Sequence, residues 1–437
     1  MLYAIFGGFF LLLQLFLLVN TRINIFPELF FFPWLVSKGL MPYRDFFDHH
    51  GFLLYYIFAP LTSNISLIFI KLFFIFFQSI NLILLLFLLK KYSNKFGFIL
   101  GGLTYVALNF FIADNNVWYE VFITFFYLLI FITIFTNFKY KNWILGILIA
   151  LSSFIKPTAA VLLIPVLYIG QSLVPLISFF SSWSVVVFIF WINRGLLQLI
   201  SDLFLFNALY SGNYHDSYFS NTEMLKRTVL ILFICVVFNG IRKKSKQVLP
   251  TVLFLVSGVV FIFYQFAKFH FVPMVPFIVL LIMQSIKHMR GVLKTTLIVL
   301  VLFYVVYLGR QTKFQYYYLK KQPEWIRSSI TDKIISHLKN NNLIDKNLYV
   351  FGNRGEVYYF LDKIPPTNYP LIFLMMDKYI PDLQTKIIED LRHTNVKVIV
   401  LQKPIDRQHE ELFKLKEYIY KNYRLSKKEK DFEIYVQ

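Results

Sequence analysis

The chain has 437 residues, 57% hydrophobic and only 16% charged, with a mean hydropathy of +0.60. Soluble domains run near half apolar and a quarter charged, so this composition excludes an ordinary soluble protein and points to a polytopic membrane protein. The formal net charge of +20 fits cytoplasmic loops and anionic lipid rather than nucleic acid, and the single cysteine, Cys235 inside an apolar run, excludes disulfides and cysteine-based metal sites.

The first apolar run, residues 2–20, lacks a basic leader and a small-residue cleavage site, and reads as an uncleaved first span. Further runs lie at 65–89, 96–113, 118–136, 143–155, 158–170, 173–192, 225–239, 248–266, 271–286 and 292–309, about eleven spans in all. The pair around Lys156-Pro157 is short on each side and is read as two spans. With these spans, the basic loops at Lys90-Lys91, Lys139 to Lys141, Arg242 to Lys246 and Lys287 to Arg290 share one side. The positive-inside rule makes that side cytoplasmic, with the N-terminus inside. The other side receives residues 21–64, the turn after Ala113, Lys156-Pro157, the loop 193–224, the turn at Lys268 to His270 and the tail. Nearly every acid and histidine of the membrane half collects there, which places the chemistry on the extracytoplasmic face.

After Gly309 the sequence becomes charged and mixed. Residues 322–341 read as an amphipathic helix, 347–351 as a strand, 377–393 as a helix, 396–401 as a buried strand, 408–421 as a helix and 432–436 as a strand. The expectation is a membrane domain over 1–309 and a small extracytoplasmic α/β domain over 310–437. Gly352-Asn-Arg-Gly355 is too short to be a dinucleotide fingerprint. The lack of an internal repeat weighs against inverted-repeat transporters.

The first outer segment concentrates the chemistry. Gly39-Leu-Met-Pro-Tyr-Arg-Asp-Phe-Phe-Asp-His-His-Gly51 packs Arg44, Asp45, Asp48, His49 and His50 into an otherwise apolar chain. Titratable groups beside a bilayer are costly to desolvate and mark function more often than a plain linker. On a helix, Asp45 and Asp48 would share a face, either to hold a divalent metal or to accept and steady a proton. Adjacent histidines would diverge on that helix, leaving one at most in the site; Asp45, Asp48 and His49 are the candidate metal set. The second outer turn adds two acids, Asp114 and Glu120, and two amides, Asn115 and Asn116, at a helix boundary; the plain alternative for an amide here is to cap the next span. Glu120, inside an apolar helix start, must face protein, water or substrate. Lys156, and Lys268 with His270, put cations at two later outer turns, suited to a phosphate. The loop 193–224 brings Asp202, Tyr210, Tyr214, His215 and Asp216 among aromatics, as a cover for a cavity or an element lying on the membrane.

These stretches together resemble the GT-C membrane glycosyltransferases, in particular the branch similar to dolichyl-phosphate-mannose–protein mannosyltransferases and to bacterial lipid A aminoarabinose transferases. The first outer segment with the following Leu-Tyr-Tyr and Ala-Pro, the acidic turn Asp114 to Glu120, Gly146 to Pro157, Lys268 to Pro276 and Leu348 to Leu361 follow the family's order. Phe52 and Phe271 stand where members often carry Pro and Tyr, which leaves the donor and acceptor open. The resemblance implies Asp45 as the catalytic carboxylate with Asp48 in support. It implies Lys156 and His270 near a donor phosphate; Arg44 and Lys268 are further candidates for that phosphate by their charge, and Asp114, Asn116, Glu120 and Tyr210 are candidate acceptor or supporting residues. The expected activity moves a sugar from a polyprenyl phosphate to an envelope lipid, glycan or protein outside the plasma membrane. The alternatives are an O-antigen polymerase or ligase, whose arginine-rich outer loop is not matched by 193–224, and a transporter, which predicts acids at mid-membrane depth.

Overall fold

The computed structural model describes residues 1–62, 67–210, 248–263, 268–321, 329–372, 376–402 and 412–437. Among them six helices are long and apolar enough to cross a membrane: Leu2–Val19, Ile68–Tyr92, Lys95–Ala113, Val174–Ile192, Lys268–His288 and Gly291–Lys321. Against the expectation of about eleven spans, the other expected runs fold as helices of 10–17 residues, among them Tyr119–Ile134, Lys141–Ile155 and Pro157–Gly170. Pro157 explains one break, because it cannot donate to the preceding turn and its ring would clash there. The expected span at 225–239, with Cys235, lies outside the described residues.

The chain divides into two compact units. The first is built from Met1–Asn24, Ile70–Val186 and the described part of Tyr214–Gln322. At its centre is Lys95–Ala113, which packs against Leu2–Val19, Val275–His288 and Gly291–Lys321. Asn94 starts this helix by accepting the Gly97 N–H at 2.7 Å on its side-chain oxygen, and Asp114 stops it in a left-handed conformation. Lys268–Met274 is a tight 3-10 turn carrying Pro273, and Pro276 lies in the first turn of Val275–His288, where its missing N–H costs nothing. Gly291–Lys321 continues through Gly309 for 31 residues, about 47 Å at helical rise. That exceeds a hydrocarbon core of about 30 Å, and its last turns are polar and aromatic.

The second unit is built from Ile25–Phe69, Val187–Asn213 and the described part of Pro323–Gln437. Its sheet has four strands: β1 (Leu348–Phe351), β2 (Val398–Gln402), β3 (Arg424–Lys428) and β4 (Phe432–Val436), in the order β1-β2-β4-β3. β1 and β2 run parallel, with Leu348 opposite Val398; β4 is antiparallel to both of its neighbours. The parallel pair needs a long crossover, here through Gly355–Leu361 and Leu383–His393. The expected helix over 377–393 is split into Met376–Tyr379 and Leu383–His393, with Pro381 between them. β3 was not expected: Arg-Leu-Ser-Lys-Lys carries no apolar alternation, and it forms as an exposed, lysine-rich edge strand. The sheet's core holds Tyr349, Phe351, Ile387, Ile399, Leu415 and Ile419. Phe47, from the segment 39–51, and Phe206 are buried in the same core.

Candidate functional site

The segment 39–51 forms turns, not the helix on which Asp45 and Asp48 would share a face. Two short helices, Phe31–Ser37 and Leu53–Thr62, pack together and hold it between them. Tyr43 sits at φ 66°, and its N–H donates to the Phe46 carbonyl at 2.8 Å. Its hydroxyl donates to the His50 carbonyl at 2.6 Å, which closes the loop on itself. The Phe47 N–H donates to the Asn368 carbonyl at 2.7 Å, tying the loop to the tail.

This geometry separates the two aspartates. Arg44 forks onto Asp45, Nε to Oδ1 at 2.8 Å and Nη2 to Oδ2 at 2.6 Å, and the Met41 N–H adds a donor at 2.7 Å. Burial pushes the Asp45 carboxyl up, but the Arg44 hydrogen bonds, the Met41 N–H and the Arg44 charge outweigh it and hold the group below its ordinary value. Asp48 is fully buried. It accepts the His50 N–H at 3.0 Å and the Tyr55 hydroxyl, and its Oδ1 lies 3.0 Å from His50 Nδ1 and 3.8 Å from His49 Nδ1. Burial again pushes the carboxyl up, and the His50 charge and hydrogen bond, His49 and Tyr55 bring it below its usual range.

Asp48, His49 and His50 each bring one ligand atom into a group spanning 4.8 Å. Two imidazoles and a carboxylate are the donor set of a divalent transition metal, so the residues fit such an ion. The set expected from sequence is Asp45, Asp48 and His49; the structure groups Asp48 with both histidines. Asp45 belongs to Arg44, and His50 takes its place, because in the turn the two histidine rings lie 4.1 Å apart and both reach Asp48. Asn207 Nδ2 donates to the His49 carbonyl at 2.6 Å and fixes that end of the loop.

Glu28 completes this surrounding and was missed by the sequence reading. It is 5% exposed, its Oε2 has no hydrogen-bond partner among the described residues, and burial pushes its carboxyl up to about 7. The charge of His50 lowers it and those of Asp48 and Glu356 raise it. An acid inside Ile25-Phe-Pro-Glu-Leu-Phe30 was the available signal.

The first unit carries a separate cluster. Glu120 is fully buried and accepts from Lys156 Nζ at 2.6 Å and from His270 Nδ1 on the same oxygen, Oε1. Lys156 Nζ lies 3.2 Å from that ring nitrogen. Residues 114 positions apart thus share one carboxylate oxygen, the partner that a buried glutamate requires. Lys268 lies 3.8 Å from Asp114 and over the Phe111 ring at 4.0 Å.

No protein-family model matches the chain, and no curated protein does either. Solved structures do match. One is an oligosaccharyltransferase of Archaeoglobus fulgidus tethered with an acceptor peptide containing the NVT sequon, 10% identical, with a TM-score of 0.53 over 92% of this chain and 69% of that one. Another is the AglB oligosaccharyltransferase of the same organism with an inhibitory peptide and a dolichol-phosphate, also 10% identical with a TM-score of 0.53, over 99% and 74%. This chain has the GT-C fold. At such identity the likeness is one of fold, so the assignment of site residues rests on the geometry above.

Within the GT-C fold the remaining expected residues have definite partners. Neither Asn115 nor Asn116 caps the next helix, whose N-cap is Trp118 without a side-chain bond. Asn116 instead accepts the Asn24 amide at 3.0 Å, and Asn115 donates to Thr21 Oγ1 at 2.8 Å and the Arg22 carbonyl at 2.9 Å. Both fasten the turn after Ala113 to the chain just past the helix Leu2–Val19. Tyr210 ends the helix Asn207–Tyr210, and its side chain lies outside the described residues, as do Tyr214, His215 and Asp216.

Proposed function

We propose that the protein is a multi-pass glycosyltransferase of the plasma membrane, working on the extracytoplasmic face with its N-terminus inside. It takes a sugar from a polyprenyl phosphate and moves it to an envelope lipid, glycan or protein. The observation that carries this reading is the buried Asp48 and Tyr55 with the half-buried His49 and His50, beside the Arg44–Asp45 pair, in the segment 39–51 of a GT-C fold. A structural salt bridge has no need of a second carboxylate closed in by two histidines and a phenol three residues away.

In this reading an acceptor hydroxyl oxygen attacks the anomeric carbon of the donor. The bond from that carbon to the phosphate oxygen breaks, and its electron pair leaves with the phosphate. Asp45 takes the hydroxyl proton. Its side chain is 24% exposed and has three donors for about four lone-pair sites, whereas Asp48 is closed. Arg44 keeps Asp45 ionised and oriented, and Asp48 steadies the loop through His50 and Tyr55. Asp48, His49 and His50 would hold a divalent metal, which supplies positive charge near a leaving phosphate. In the first unit, Lys156 and His270 share Glu120 and Lys268 faces Asp114, a group of cations suited by its charge to a phosphate. The tail, 310–437, shapes acceptor access.

The test is transfer by purified protein from a panel of radiolabelled polyprenyl-phosphate sugars to envelope extract, comparing wild type with Asp45→Asn. Loss of a general base predicts a fall of roughly 10²–10⁴-fold with donor binding retained. Equal transfer by both proteins removes Asp45 from the chemistry. Failure of folded wild type to bind any donor removes the glycosyltransferase reading.

A further inference from the structure

A cavity of about 260 Å³ opens within the second unit, outside the Asp48–histidine group. Its walls come from the first outer segment, with Leu40, Asp45 and Phe46, and from the tail, with Ile364 to Asn368 and Asp390. The two walls are fixed to each other by the bond from the Phe47 N–H to the Asn368 carbonyl and by the Lys38–Asp362 ion pair at 2.7 Å. Pro365 and Pro366 stiffen the tail side, since each locks its own φ. Thr367 is 5% exposed and accepts the Tyr369 N–H at 3.2 Å on its hydroxyl oxygen. The site is therefore pre-formed, and little order is lost when something enters it.

The lining limits what can enter. It contains two carboxylates, Asp45 and Asp390, the Asn368 amide and the Thr367 hydroxyl, and no lysine or arginine. A phosphate or a carboxylate would meet like charge. Ionised carboxylates only accept hydrogen bonds, so the occupant must be rich in donors. Among the described residues, the Asn368 amide and the Asp390 carboxylate make no side-chain hydrogen bond. Leu40, Phe46 and the prolines add apolar lining on both walls beside these groups. A group with hydroxyls at its edge and C–H bonds on its face satisfies both. The volume lies below the roughly 300–1,000 Å³ of sites that take a whole drug-sized ligand, so it admits one ring rather than an extended chain.

We propose that this cavity is an acceptor subsite for a single sugar ring of a glycan or glycolipid, held by Asp390 and Asn368 with one hydroxyl presented to Asp45. This rests on the glycosyltransferase reading for its purpose, but the binding itself does not depend on transfer. It narrows the acceptor from lipid, glycan or protein to one that carries a sugar.

The experiment measures binding by saturation-transfer NMR on the full chain in detergent, against a panel of free monosaccharides and methyl glycosides. A Ser/Thr-containing peptide is the comparison. Asp390→Ala and Asn368→Ala are the variants; Asn368 is exposed, so its truncation leaves folding intact, and melting temperature checks Asp390→Ala. At least one sugar is expected to bind wild type and to lose about tenfold or more in affinity in Asp390→Ala, as a hydrogen bond to a charged group is lost. A smaller loss is expected in Asn368→Ala. In transfer assays Asp390→Ala should raise the acceptor KM and leave donor binding unchanged. The proposal is overturned if wild type binds no sugar, if both variants bind as wild type, or if the peptide alone binds and competes at this site. Sugar binding lost in Asp390→Ala with no transfer by any wild-type preparation keeps the subsite and discards the enzyme reading. Transfer that is insensitive to both variants does the reverse.

Discussion

Asp45 and Asp48 lie three residues apart and serve different partners, because Tyr43 turns the chain at positive φ between Pro42 and Arg44. The residue types that matter were legible in the sequence: an Arg, two Asp and two His do not gather beside a bilayer without cause. Their partition was not legible, because helical spacing rules do not apply to a turn, and so His50 was set against His49 instead of beside it. Glu28 shows the same limit. Besides burial, the charges that act on it come from residues distant in sequence, His50, Asp48 and Glu356. A carboxyl raised from 4.5 to about 7 by burial keeps its proton longer in the folded state than in the unfolded chain. Stability from this group is present at low pH and is lost as the pH rises between about 4.5 and about 7, by roughly 3 kcal/mol at most. Glu28→Gln should therefore raise the melting temperature at pH 8 and flatten its fall across that window. A variant that melts with the wild-type pH profile would show that the Glu28 carboxyl is not raised in the folded state.

At the scale of elements, the helix Gly355–Leu361 docks on the helix Phe31–Ser37. Phe31 stacks on Tyr358 at 5.9 Å between centroids, and Phe30 meets Tyr359 edge-on at 5.5 Å. Gly355 makes this possible: a Cβ there would lie 2.5–2.9 Å from three carbons of the Phe31 ring. The segment Gly352-Asn-Arg-Gly355 was set aside in the sequence as too poor a nucleotide motif, and the glycine turns out to serve close packing. Apolar strands and membrane helices were legible because burial on both sides leaves an unbroken apolar run. The short helices Phe31–Ser37 and Leu53–Thr62 were not, because at 7 and 10 residues their pattern is too brief to separate from loop. Gly355→Ala is predicted to cost about 1–3 kcal/mol by overpacking against a fully buried ring. Thermal unfolding should show the loss, and adding Phe31→Leu should recover part of it. Additive losses in the double variant would mean that the clash lies elsewhere.

At the scale of the whole molecule, the likeness to GT-C structures extends over nearly the full chain at 10% identity. Such divergence is what bilayer physics permits: any helix of suitable length and hydropathy can replace another, so sequence drifts while the arrangement holds. Sidedness is under tighter control, since a lysine on the wrong side of a short loop opposes insertion. The basic residues Lys90, Lys91, Lys139 and Lys141 fall on one side of the proposed span order, and the acids and histidines of both polar clusters on the other. Single cysteines in a Cys235→Ser background can read this directly with a membrane-impermeant maleimide. Lys91, Lys139 and Glu417 are all exposed side chains, so labelling reports sidedness rather than burial. Lys91→Cys and Lys139→Cys should label in inverted vesicles and not in right-side-out ones, and Glu417→Cys the reverse. Labelling of Glu417→Cys from the cytoplasmic side would place the tail, and with it Asp390, away from any lipid-linked sugar outside the cell, and would overturn the orientation on which the proposed chemistry depends.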